Sequence, residues 1–119
     1  MVKSPIPGAA RPMLHDRMQR HAEDADRLVG ATTRLEYEEI VLRAQHIATE
    51  PRLARPRAGD LSTLNASVPA AFYQEQERLA DAARDLAAAA ERRDDTALVQ
   101  AYGRLSQSCV SCHAQFLRR

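Results

Sequence analysis

A chain of 119 residues has room for one domain and little for a second, which argues against a multidomain enzyme. Seventeen basic and 16 acidic side chains leave a formal charge of +1, and 45% of the residues are apolar, the composition of a packed domain rather than a disordered chain. The basic set is sixteen Arg and Lys3 alone, spread among acidic neighbours with no stripe to track a phosphate backbone, so nucleic acid is not an expected partner. No run approaches the roughly 20 apolar residues of a bilayer span, and residues 1–12 lack the apolar centre of a signal peptide; the expectation is a soluble chain without a membrane span. Twenty-two Ala stand against five aromatic rings, Phe72, Phe116, Tyr37, Tyr73 and Tyr102, so a core of this size is short of large groups and something else is expected to supply the bulk.

In chain order, residues 1–12 carry three of the six prolines and read as a flexible N-terminal segment, leaving 13–119 as one domain. From about Met13 to Val29, Leu14, Met18, His21, Ala25 and Leu28 recur at spacings of four and three, one face of a helix that Gly30 is expected to end. Tyr37, Ile40, Ala44 and Ile47 mark a second helix from about Glu36 to Thr49, closed by the step into Pro51. Residues 51–68 have no sustained period and read as a long connection. Pro69 suits a first helical turn, after which Phe72, Gln76, Leu79, Ala83, Leu86 and Ala90 carry a third helix to about Arg93. Asp94 or Asp95 can cap a fourth, with the stripe Leu98, Tyr102, Leu105, Cys109, Cys112 and Phe116. No strand pattern competes. The fold class is therefore all-α, an antiparallel four-helix bundle with a long second connection.

Both cysteines lie in Cys109-Val110-Ser111-Cys112-His113, the C-x-x-C-H pattern of covalent c-type haem attachment. Each sulfur adds to a haem vinyl group while the histidine supplies an axial nitrogen to iron, so the three side chains must converge on one macrocycle. One turn of helix provides that convergence, because the spacings are i, i+3 and i, i+4. A redox dithiol or disulfide uses the same C-x-x-C spacing, but such motifs open a helix after a strand, whereas this one ends a helix. A zinc site taking Cys109, Cys112 and His21 lacks the usual second ligand pair. Haem also answers the shortage of bulky core groups.

A four-helix chain with this motif near its C-terminus, followed by Phe116, Arg118 and Arg119, resembles the class II c-type cytochromes, the cytochrome c′ family. The resemblance implies one covalent haem c near the C-terminal end of helix four, held by Cys109 and Cys112, with His113 as proximal iron ligand, Phe116 beside the haem, and the distal side lined by helix one. It also implies a periplasmic or exported protein, and a homodimer is common in that family. Low-spin members place a methionine on iron, and high-spin members leave the iron five-coordinate.

Helix one offers Met13, His15, Met18 and His21 within nine residues, of which Met18 and His21 lie on the apolar stripe and, in an antiparallel bundle, near the level of His113. Met18 is the first choice as distal ligand and His21 the alternative; core packing for Met18 and a hydrogen bond for His21 are the bland readings. His15 is a weaker candidate, and His46 falls off its helix's stripe. Arg52, Arg55, Arg57, Arg118 and Arg119 either rim the haem edge or are scattered surface charge. With a side chain on both faces of iron there is no substrate position, so the expectation is an electron carrier that meets a redox protein partner, not an enzyme. The alternative is a five-coordinate protein binding NO or CO. A peroxidase using His21 as acid-base is weaker, since no other catalytic constellation accompanies it.

Overall fold

Four amphipathic segments draw the chain into four α-helices, α1 (Arg11–Thr33), α2 (Tyr37–Thr49), α3 (Ala70–Arg92) and α4 (Asp95–Phe116), preceded by a 3₁₀ turn at Gly8–Ala10. The computed structural model describes residues 6–51, 53 and 68–116, and among these there is no strand. The long connection beyond Leu53 lies outside the described residues, as do Arg52, Arg55, Arg57, Arg118 and Arg119. Each helix packs on the next in the chain, α1 on α2, α2 on α3 and α3 on α4, but α1 and α4 form no comparable seam. The bundle is closed on three sides and parted on the fourth.

Two turns set the antiparallel order. After α1 the chain turns at Leu35 with φ of 54°, and the Glu36 amide donates to the Ala31 carbonyl at 2.9 Å. After α3 it turns at Arg93 with the same φ, and the Asp94 amide donates to Ala89 at 3.0 Å. Both are left-handed helix stops built without glycine. Gly30 does not end α1, as its residue type suggested: the helix runs on to Thr33 because Ala31, 1% exposed, adds one more turn to the buried face. Asp94 caps α4 as anticipated, its Oδ1 accepting from the Ala97 amide at 3.1 Å.

Helix length divides the interior. At 1.5 Å per residue, the 13 residues of α2 reach about 20 Å, against about 35 Å for the 23 of α1. Where α2 is present, the core is alanine-rich, with Ala44, Ala83, Ala89 and Ala101 packed around the fully buried Leu28, Ile40, Leu86 and Leu98. Small side chains let the helices approach closely, so this end needs few rings. Beyond α2, residues flanking the helices take its place: Ile6, Ala10 and Val68 are buried with Leu14, Phe72, Tyr73 and Phe116, and Leu53 packs against them. The Phe72 and Phe116 rings meet edge to face, 5.4 Å between centroids. The N-terminal residues from Ile6 onward are thus part of a core, and α1 begins at Arg11, two residues before the apolar period announces it.

Candidate haem site

Between these two clusters, in the gap that α1 and α4 leave, lies a cavity of about 670 Å3. Its walls explain a departure from the expected face of α1. The buried side chains of α1 are Leu14, Arg17, Asp24, Leu28 and Ala31, of which Leu14 and Arg17 also border the cavity, and not the whole stripe of Leu14, Met18, His21, Ala25 and Leu28. Met18 and His21 are half-buried and Ala22 and Ala25 exposed, because they face the cavity instead. Helix α1 therefore has two inward faces, one for its neighbours and one for the cavity.

Two charged residues on the packing face find partners far along the chain. Arg17, 6% exposed, donates to Gln76 Oε1 at 2.7 Å, and Gln76 in turn bonds the Leu53 backbone, its Nε2 donating to the carbonyl at 3.1 Å and its Oε1 accepting from the amide at 3.3 Å. Asp24, 7% exposed, accepts from the Arg43 guanidinium at 3.2 Å and stands 3.4 Å from His46 Nδ1. His46 is exposed, as its off-stripe position indicated, but it is not free of the fold.

On α4, Ser108, Cys109, Cys112, His113 and Phe116 line the opposite wall of the cavity. Cys109 and Cys112 are both half-buried on this wall. Burial raises both thiols above their ordinary range; Cys112, with the Glu75 carboxylate and then Cys109 adding to the effect, is pushed up to about 11. His113 is solvent-exposed on its outer side in the last turn of α4 and borders the cavity. Phe116 is buried beneath it.

The antiparallel register brings the candidate residues to one level. Leu14 and Phe116 share one cluster, and His21 and Cys109 line the same small void of about 50 Å3 deeper in the bundle. Met18 then stands opposite Cys112, and the level of His113 falls close to Arg17. Side chains on both helices lean toward their own N-termini, which carries His113 toward the level of His21 and Met18 toward that of Phe116. His21 Nε2 is buried with no hydrogen-bond partner. Burial, reinforced by Arg17 and Arg20 and opposed by Glu50 and Asp24, holds its imidazole below the usual value, favouring the neutral form that binds metals. His15 also borders the cavity, exposed and 3.1 Å from Gln19, while Met13 stands 43% exposed and away from it. Among the described residues no three His, Cys, Asp or Glu side chains gather as a zinc site requires.

These walls fit a haem. The volume lies within the roughly 300–1,000 Å3 of cofactor sites, and Phe72, Leu79, Phe116 and alanines make up much of the lining. Two thiols and a histidine converge from one wall, and an orphaned imidazole nitrogen and a thioether stand on the other. Among the lining residues that the sequence reading does not single out are Arg17, Glu50 and Glu75, the last only 3% exposed. The signal was present: Glu75 is three residues after Phe72 and four before Leu79, a charge set within the apolar stripe of α3. No helix among the described residues is long and apolar enough to cross a membrane.

Comparison with known proteins agrees with this geometry. No curated protein and no solved structure gives a significant match. The sequence model of the family described as Cytochrome C′ matches residues 64–117, a span that covers α3 and α4 and includes the C-x-x-C-H motif. With the four-helix fold, that match makes the chain similar to the cytochrome c′ family over its second half.

Proposed function

We propose that the protein is a six-coordinate electron carrier, with one haem c bound through Cys109 and Cys112 and its iron held by His113 and by a side chain of α1, Met18 in first place and His21 in its absence. The observation that carries this reading is the pair of facing walls: Met18 and His21 border the same cavity as the attachment motif. The bound haem supplies one-electron chemistry at a potential set by its axial ligands and surroundings.

The chain's own residues supply the rest. Cys109 and Cys112 fix the orientation of the macrocycle, and Phe72, Leu79 and Phe116 keep water from its faces. Arg17, buried at the cavity wall, places a guanidinium within the site where a haem carboxylate needs a partner. α4 is held by its seam with α3, and the first turns of α1 by Ile6, Ala10 and Leu14 packed with Phe72 and Phe116, which limits movement of either wall on electron transfer. The partner is a redox protein in a small, transient contact, and the working compartment is the periplasm, where members of the family typically reside; a homodimer, frequent in the family, fits the same reading.

Optical spectra of the purified protein, oxidised and reduced, test the reading. Sharp low-spin bands that CO leaves unchanged are the expected result. Broad high-spin bands that shift with CO would turn the protein into a five-coordinate binder of NO or CO and return Met18 and His21 to packing.

A further inference from the structure

We infer that Glu75 sets the reduction potential of the haem site, holding it low with a buried negative charge beside the attachment turn. The inference rests on the haem reading above.

Charged side chains are almost never buried this deeply unless paired, and the pairing of Glu75 is one-sided. Its Oε1 accepts from the Arg78 guanidinium at 2.9 Å, from the Ser111 hydroxyl at 3.3 Å and from the Gln115 amide at 3.2 Å. Ser111 and Gln115 stand one turn apart on α4 and bracket Cys112 and His113, so this oxygen latches the attachment turn to α3. The second oxygen, Oε2, is buried and has no hydrogen-bond partner. A latch alone requires only the first oxygen, and a glutamine would serve it as well. What the carboxylate adds is charge at the wall of the cavity.

That charge is poorly screened. The Arg78 side chain is 66% exposed, so water and salt attenuate its field, whereas Glu75 at 3% acts through the low-dielectric interior. A haem site carries one more positive charge when oxidised than when reduced. A buried carboxylate therefore stabilises the oxidised form more and lowers the potential. The same side chain combines two effects, positioning through Oε1 and electrostatics through the net charge, and isosteric substitution separates them.

The experiment is a spectroscopic redox titration of the haem-loaded protein and its variants. In Glu75→Gln the reduced fraction at a fixed ambient potential rises about tenfold relative to the oxidised, about 59 mV for one electron, while the absorption bands stay where they are. Arg78→Gln, on an exposed side chain, moves the potential the opposite way by a smaller amount that shrinks with added salt. A Glu75→Gln potential equal to that of the unaltered protein overturns the inference, and so does a shift accompanied by altered bands, which would mean that Glu75 acts only by placing the motif. Should Glu75→Gln not fold, Arg78→Gln decides: a lowered potential supports the assignment, and an unchanged or raised one overturns it. Absence of haem from the unaltered protein would defeat the underlying reading before any variant is made; a haem-bearing protein with an unmoved Glu75→Gln potential defeats this assignment alone.

Discussion

The two halves of the bundle solve the same packing problem in opposite ways. Around Leu28, Ile40, Leu86 and Leu98, alanines let each helix close on the next and the interior is filled by the chain itself. Around Met18, His21, Cys109 and Cys112, α1 and α4 stand apart and the interior is left to a guest. Alanine and cavity are complementary uses of small side chains: at one end they shorten the distance between helices, and at the other Ala22 and Ala25 make room. The shortness of α2 draws the line between the halves, because beyond its end the open half depends on Ile6, Ala10, Leu53 and Val68 for cover. The closed core thus sits at the turn end, and the cavity with the C-x-x-C-H motif at the end where α4 finishes.

The largest effect expected of this division follows from removing the guest. With Cys109 and Cys112 both replaced by serine, covalent haem is lost entirely, which acid extraction of the pigment detects. In that haem-free chain, amide hydrogen exchange should remain slow around Leu86 and Leu98 and become fast around Met18 and Phe116, since local opening follows the density of buried contacts. Uniform protection along α1 and α4 would show that the halves are not distinct.

Next in size is Leu86→Ala, in the closed half, with an expected loss of about 2–5 kcal/mol in urea unfolding, because close-packed alanines relax little into the space left behind. The loss should be similar with and without haem.

A smaller effect concerns the polar flank of the α1–α2 seam. The hydrogen bond from Arg43 to Glu39, 2.8 Å, holds the Glu39 carboxyl below its ordinary value of 4.5. A carboxyl lowered on folding stabilises the fold above its unfolded value and loses that contribution as pH falls through the folded one. Glu39→Gln should therefore lower the urea midpoint slightly at neutral pH and flatten its decline below 4.5. Smallest is Leu35→Gly at the left-handed stop of α1, where relief of backbone strain slightly exceeds the added unfolded-state entropy; a gain of about 0.5 kcal/mol is expected by thermal or urea unfolding.

Much of the closed half was legible in the order of the residues. Apolar period located all four helices, Asp94 announced its cap, and Cys109, Cys112 and His113 form the motif on which the haem proposal rests. The open half was less legible for a physical reason. A periodic stripe records apolarity and does not distinguish a methionine pressed on a neighbour from one bordering a cavity, so the two inward faces of α1 were read as one. Arg17 and Asp24 are buried because Gln76 and Arg43, distant in sequence, receive them. Gly30 marks a stop that α1 overruns, while Leu35 and Arg93 take the left-handed positions themselves.

The central claim is that α1 presents an iron ligand to the motif on α4. It is tested most directly by CO titration of the reduced protein alongside Met18→Ala and His21→Ala. The account predicts that the unaltered protein ignores CO and that one of the two variants, Met18→Ala first, binds it. Binding of CO by the unaltered protein, or indifference in both variants, would contradict it.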